Sequence, residues 1–315
     1  MPVRAIVQKL IRAALTVLLL LTTVFVVLRL SGDPAVYVLG IDADPDALEA
    51  YRKQHRLDRP IHEQYLRFLE DATEGHFGQS FMEGRDALEA VMDRLPRTLL
   101  LMSVTLGVTL LIGIPAGIFS ALRRGSWMDK GIMAVTVASF CLPSFVLGIF
   151  LILLLSVTWR ILPTAGYQTW QHMVLPVITM ATADAAIFAR FTRSAMLEVL
   201  GQPYMRTARA KGLPWARAVI RHALPNAAIP TVTIGGFAVG SLIAGAVVTE
   251  SVFAWPGVGR LLVTSVQNRD LPVVQVIIVL VAISMVTTNL LVDLTYGWLD
   301  PRIRGLMGRR AEAKP

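Results

Sequence analysis

One carboxylate, Asp184, lies inside a stretch otherwise apolar enough to enter a bilayer. A mid-membrane carboxylate costs about 2.5–3.5 kcal/mol on insertion scales, so it is expected to face a cavity or bind a partner. The chemistry open to it is recognition of a substrate amine or carriage of a proton; a local polar bond is the structural alternative. Arg190 stands six residues on, beyond the reach of an i,i+4 pair. Segment 190–230 gathers seven lysines and arginines around Gly212-Leu213-Pro214, and segment 250–272 holds Glu250, Trp255, Arg260, Arg269 and Asp270. Covalent chemistry has no residues to carry it. The chain contains no Gly-x-x-x-x-Gly-Lys-Ser/Thr, no nucleophile elbow and no His-Glu-x-x-His, the patterns that cradle phosphate, activate serine or bind zinc. Cys141 is the single cysteine, which excludes an internal disulfide and a cysteine-cluster metal site. His55, His62 and His76 are spaced by seven and fourteen residues, which is not a metal motif. No catalytic residue, metal or cofactor is expected.

The elements that must position these groups are membrane spans. Of 315 residues, 54% are hydrophobic and 17% charged, with a mean hydropathy of +0.58. Long apolar blocks alternate with blocks that hold nearly all the charge, which excludes a disordered chain and argues against one soluble core. A hydrocarbon layer about 30 Å thick needs about 20 apolar helical residues. Six stretches qualify: 10–30, 98–122, 131–157 (interrupted by Pro143), 173–189, 229–249 and 273–294. The fourth is the least apolar, because it carries Asp184 and threonine and alanine where leucine would be expected. The first has a basic start at Arg4, Lys9 and Arg12. Its apolar run exceeds that of a signal peptide and no small-x-small cleavage site follows, so it reads as an uncleaved span.

Charge sets the orientation. With the N-terminus cytoplasmic, the inside segments hold 18 lysines and arginines and the two short outside loops hold three. Basic residues concentrate on the cytoplasmic side of membrane proteins, so both termini are expected there. The net charge of +8 is then a matter of topology and needs no nucleic acid. The long loop 31–97 has eight basic and 14 acidic residues; loops of this length translocate whatever their charge. It carries helix signals: Asp44-Pro45-Asp46 as a start, then Leu48, Tyr51, His55 and Leu57 on one face. Ile61, Tyr65, Phe68 and Leu69 follow, then Ala87-Leu88 with Val91-Met92. Such short amphipathic helices form either a packed cap or a docking surface. The expected organisation is a first span with an external helical loop (1–95), a five-helix core (96–301) with a cytoplasmic loop at about 190–228, and a basic tail (302–315).

Within that cytoplasmic loop a helix is expected to run on from the fourth span through Leu200, with Gly201 and Pro203 as punctuation. Two further turns cover 204–211. Gly212 permits a left-handed stop and Pro214 starts the next helix, which Pro225 ends or kinks. The product is helix, sharp turn, helix. Ala208, Ala210 and Gly212 let another protein approach the backbone, and Trp215 offers an aromatic anchor of the kind enriched at interface hot spots.

Here a family pattern emerges. Gly212 followed at the right spacing by Leu224-Pro225 resembles the EAA loop of binding-protein-dependent ABC importer permeases, with Arg206-Thr207-Ala208 in place of the EAA triplet and His222 in place of the usual isoleucine. YMRTARAKGL and RHALPNAAIP are similar to the variant in the dipeptide, oligopeptide and nickel branch. So are Gly32-Asp33-Pro34, Phe77-Gly78-Gln79-Ser80, the run from Glu250 to Arg260, Asn268-Arg269-Asp270 and Asp300-Pro301-Arg302. The ordered set covers nearly the whole chain. The resemblance implies an all-α, six-span type I ABC importer permease of the bacterial inner membrane, working by alternating access. It implies two separate ATP-binding subunits, a second related permease chain, and a periplasmic or lipoprotein substrate-binding protein. Contact with the ATPase then falls on Arg206, Thr207, Ala208, Arg209, Ala210, Lys211, Gly212, Leu213 and Pro214. Glu250, Trp255, Arg260, Arg269 and Asp270 become candidates for the external gate and binding-protein contact, and Asp184 for the translocation path. The expected cargo is peptide, with glutathione or a nickel chelate by the same mechanism as alternatives. An ion-coupled secondary transporter using Asp184 is the rival from another class.

Two small-x-x-x-small faces, Gly113/Gly117 and Gly236/Gly240, predict close helix approach, either within the chain or at a subunit interface. Pro115 and Pro143 remove backbone donors and predict kinks. Asn289 and Asp293, one turn apart, read as a structural pair.

Overall fold

Apolar helix after apolar helix is the only open-chain way to satisfy backbone groups in hydrocarbon, and the described residues hold helices and no strand. The computed structural model describes residues 3–30, 32, 34–40, 42–54 and 57–299. Asp33, His55 and residues 300–315, with Asp300-Pro301-Arg302 and the tail, lie outside the described residues, as do the side chains of Arg4, Lys9, Asn289 and Asp293 and the surroundings of Gly236 and Gly240. In order, the helices are α1 (Val3–Leu30), α2 (Pro34–Leu39), α3 (Pro45–Gln54), α4 (Ile61–Glu74), α5 (Ala87–Met92), α6 (Leu95–Leu122), α7 (Trp127–Cys141), α8 (Ser144–Leu151), α9 (Gln171–Leu200), α10 (Pro203–Ala210), α11 (Trp215–Ala218), α12 (Leu224–Val252), α13 (Val258–Gln267) and α14 (Leu271–Leu299).

All six stretches expected to span fall in helices, but they are not equivalent. Among the described residues α6, α9 and the part of α14 up to Thr288 are long and apolar enough to cross a bilayer. The third stretch is not one rod. It breaks at Leu142-Pro143 into α7 and α8, and α8 continues as a π-helical segment, Ile152–Thr158; the two arms bend by 98°. Proline cannot donate its backbone hydrogen bond and pushes the residue before it out of helical geometry; Leu142 is accordingly extended, with ψ 119°. The fourth stretch, least apolar in sequence, is part of a 30-residue helix with 56% of its most apolar window buried. Its alanines and threonines are interior residues, which need small size more than lipid solubility.

The chain divides into two compact units, residues 97–259 resuming at 288, and residues 3–96 with 260–287. In the first, α9 packs against α7, α8 and α12, and α6 meets α9 through its glycines. A Cβ on Gly113 would lie 2.7 Å from the Phe188 Cβ, and one on Gly117 would lie 2.5 Å from the Ala189 carbonyl oxygen. The α6 glycine face therefore serves packing within the chain. Gly117→Leu has to part the two backbones, since a rigid carbonyl cannot yield; the expected result is a several-fold loss of folded permease in membranes by immunoblot, whereas Gly107→Leu, with no atom within 4 Å of its Cβ, keeps normal amounts.

In the second unit the long loop that follows α1 packs back on it. Phe25 is buried against Tyr65 and Phe68, with ring centroids 5.2 and 5.5 Å apart, and the Thr22 and Tyr65 hydroxyls are 2.6 Å apart. Residues 260–287, assigned to the core by sequence, group here because Asp270 binds the 80–82 turn and Pro272 sits under Gly78, 3.8 Å from where a Cβ would be.

Candidate functional site

The arginine-rich segment forms an elbow whose shape follows from its punctuation. α9 ends at Leu200, and the Gly201 N–H bonds back to the Leu197 carbonyl. Gln202 is extended, and Pro203 opens α10 at a position whose N–H has no helical acceptor. α10 stops at Gly212, whose φ is +81°. The Leu213 N–H bonds to the Ala208 carbonyl at 3.2 Å and the Gly212 N–H to the Arg209 carbonyl at 2.9 Å. This pair of bonds is the Schellman stop, which needs a left-handed residue at the Gly212 position. Pro214 is not the first helical residue expected from the sequence; it is extended (ψ 141°) and caps α11, with the Ala218 N–H donating to its carbonyl at 3.0 Å. Nor does Pro225 end the helix. A π-helical segment, Val219–Ala223, leads straight into α12, and Pro225 lies in the first turn of α12.

One side of the elbow is anchored. Met205, Ala218, Val219 and Ala223 are buried in a cluster with Ala121 of α6 and Ala195 and Met196 of α9, and Leu213 packs on its edge. Burying a side chain such as Met205 is worth about 2 kcal/mol, so the inner face is a firm seat. The other side is open. Arg206, Thr207, Arg209, Ala210, Lys211, Gly212 and Pro214 are exposed, while Ala208 and Leu213 are half-buried. The Arg209 guanidinium lies over the Trp215 ring, 5.3 Å from its centroid and within the reach of about 6 Å for a cation–π contact. Trp215 stays 44% exposed. The structure thus offers a basic, small-residue surface on a rigid mount.

Beneath the elbow is an ion pair with a buried acid and a half-buried base, which sequence reading missed, having counted Arg193 only toward orientation. Arg193 of α9 donates through Nε and an Nη to the two oxygens of Asp129 on α7, at 2.7 and 2.8 Å. Asp129 also accepts from the Ser120 hydroxyl and, at 2.9 Å, from the Gly125 N–H. Ser126 caps α7 by accepting from the Asp129 N–H. That Ser-x-x-Asp spacing was the one available signal, and it marked a helix start, not the partner 64 residues away.

At the far end of α12 the candidates of segment 250–272 separate. Glu250, Trp255 and Asp270 are buried at 0, 1 and 1% exposure, so these side chains support the chain from within and do not form an outer contact face. Glu250 accepts from the Thr98 hydroxyl at 2.7 Å, and that hydroxyl accepts from the Val258 N–H at 2.8 Å. Gly257 leaves room for the Glu250 carboxylate, which would lie 2.2 Å from a Cβ there. The Trp255 indole donates to the Arg97 carbonyl at 3.2 Å and meets the Tyr167 ring edge-on. Asp270 accepts from the Ser80 hydroxyl at 2.5 Å and the Phe81 N–H at 3.1 Å. Two motifs about 190 residues apart, Phe77–Ser80 and Asn268–Asp270, are therefore halves of one turn. Beside it, burial would raise the Glu83 carboxyl, but hydrogen bonds from Arg94 and Arg85 outweigh burial and hold it below the usual range. Arg260 and Arg269 remain exposed. Asp184 is half-buried on α9. Among the described residues no cluster fit for a metal occurs.

Residues 113–305 match the family described as binding-protein-dependent transport system inner membrane component, and residues 2–102 match its N-terminal companion. The chain belongs to this family. It is the membrane permease component of an ABC import system, a multi-pass protein of the inner membrane that works with ATPase and substrate-binding partners. The permease is 42% identical over 275 residues to the glutathione transport system permease protein GsiC of Shigella flexneri serotype 5b, covering 87% of this chain and 90% of that one. The Escherichia coli K12 GsiC matches to the same extent. Among solved structures, the inward-facing MetNI methionine ABC transporter aligns with a TM-score of 0.57 at 19% identity, over 67% of the permease and 96% of that chain. An amino acid ABC transporter crystallised with histidines aligns at 0.52, again at 19%, over 66% and 93%. These structures establish the type I importer permease fold.

Proposed function

We infer that this permease carries short peptides inward, the class that includes the tripeptide glutathione, and that it does so by alternating access. The observation that carries the reading is the 42% identity to GsiC across nearly both full lengths, supported by the dipeptide-branch motifs at 204–213 and 221–230. In this reading both termini are cytoplasmic, and the permease pairs with a second, related permease chain above two ATPase subunits. The exposed face of Arg206–Pro214 seats in an ATPase cleft, and closure of the nucleotide dimer pushes the elbow. Because Met205, Leu213 and Val219 tie the elbow to α6 and α9, the push reaches the spans and not merely a loop. Arg260 and Arg269 meet the external binding protein, with Glu250, Trp255 and Asp270 holding their segment in shape.

The test is uptake into vesicles containing the whole complex and its binding protein, with ATP inside the ATPase-bearing compartment. Labelled glutathione, a dipeptide, a tetrapeptide and a nickel chelate are compared. ATP-dependent accumulation of a peptide is the expected outcome. Accumulation by the permease alone on an ion gradient overturns the reading.

Asp184 is assigned to the translocation path, where its carboxylate would meet a peptide ammonium. Asp184→Ala is expected to lower uptake about fivefold at normal membrane abundance. Unchanged uptake removes it from the path.

A further inference from the structure

Helices α6, α7 and α9 enclose a groove of about 550 Å³ in the first unit. That volume is in the range of ligand pockets, about 300–1,000 Å³, yet its walls lack the convergent polar groups that orient a water-soluble ligand. They are Val108, Ile112, Val135, Ile178, Ala181 and similar residues. Of the three lining hydroxyls, those of Thr136, Ser139 and Thr182, two turn back on their own helices: Thr136 donates to the Met133 carbonyl at 2.8 Å and Thr182 to the Ile178 carbonyl at 2.6 Å. Ile112 and Val135 are 57 and 65% exposed, so the groove opens outward.

Its end toward the α6–α7 turn is different in kind. Trp127, 79% exposed, lines the mouth, and tryptophan favours the level of lipid headgroups. The Arg123 guanidinium lies over the Phe119 ring at 4.6 Å and reaches the Met128 sulfur at 2.9 Å. Phe119 and Met128 both line the groove, so the cation sits on its rim. Arg124 and Lys130 are exposed beside it. The one acid in residues 123–130, Asp129, is drawn inward by Arg193, so it does not offset the three cations. A dry trough with an aromatic lip and a net positive rim matches an amphiphile with an apolar tail and an anionic head.

We propose that the α6–α7–α9 groove is a binding site for an anionic phospholipid, its acyl chain along Ile112 and Val135 and its phosphate at Arg123, Arg124 and Lys130. The site stands independently of the cargo.

The test uses the complete importer complex in nanodiscs with a photoreactive acyl chain on either phosphatidylglycerol or phosphatidylcholine, and maps labelled peptides. Phosphatidylglycerol is expected to label α6 and α7 about fivefold more than phosphatidylcholine. R123Q/R124Q brings that ratio toward one. A Cβ on Gly131, which lines the groove, meets no atom within 4 Å, so Gly131→Leu fills the trough without disturbing packing and lowers labelling by both lipids. Equal labelling by the two lipids in the unaltered complex overturns the proposal. So does a preference that survives R123Q/R124Q, labelling that Gly131→Leu leaves unchanged, or a photocrosslinker at Val135 that captures the second membrane subunit instead of lipid.

Discussion

Gly212→Val is expected to cut transport per ATP hydrolysed about fivefold or more, while the complex still assembles. A Cβ on Gly212 meets no atom within 4 Å, yet its φ is +81°. The obstacle is therefore the backbone and not packing. An L-residue in the left-handed region costs about 1–2 kcal/mol, and a β-branched one fares worst. The Schellman bonds at Leu213 and Gly212 then open or shift, and the exposed face of α10 loses its fixed angle to α11. The anchoring side chains below are untouched, so folding survives. Asparagine tolerates this conformation better than other non-glycine residues, so Gly212→Asn should recover much of the coupling although it is larger than alanine. The measurement is peptide uptake against phosphate release in reconstituted vesicles. Equal ratios for Gly212→Val and the unaltered complex would sink the elbow as a coupling device.

Arg193→Met is expected to destabilise the permease by about 3–5 kcal/mol, the cost of stranding one member of a buried ion pair. Asp129 is 5% exposed and Arg193 is 26% exposed at the side chain. The two halves are thus unequal. Removing the arginine leaves a buried carboxylate held only by Ser120 and the Gly125 N–H. Removing the carboxylate, as in Asp129→Asn, leaves a guanidinium that still reaches water, and should cost clearly less. The double variant should be more stable than Arg193→Met alone, because no lone buried charge remains. Thermal unfolding of the purified complex measures all three. An equal loss for both single variants would mean that the pair is solvated in the assembled importer.

The two experiments probe different links of one chain of contacts. The ion pair joins α7 to α9, and α9 leads directly into the elbow. Gly212 sets the direction in which the elbow meets whatever presses on it. In the proposed mechanism transport needs both, since a push on a surface that can swivel moves nothing behind it.

Much of this was readable from residue types alone, wherever the cause is local. Helix stops at Gly201 and Gly212 follow from glycine and proline chemistry that acts over three or four residues. Helical spans follow from the thickness of hydrocarbon, which depends on composition and length. The ordered motifs around them carried the family. Reading failed where the cause is a neighbour distant in sequence. Pro214 and Pro225 were assigned by the local rule and took adjacent roles, because burial of Ala218 and Val219 against α6 and α9 draws the helix through a π-helical segment. Glu250, Trp255 and Asp270 looked like contact residues because charge and aromatic size suit an interface. Only the fold shows that Thr98, the Arg97 carbonyl and Ser80 occupy them from within. The same holds for Asp129 and Arg193. Sequence alone determined an all-helical membrane chain with a basic elbow, because hydropathy, capping and charge clustering act along the chain. Tertiary structure decided which charges are paired, which face of each helix is free and where the third span breaks, because those outcomes depend on partners that only packing brings within about 3 Å of one another.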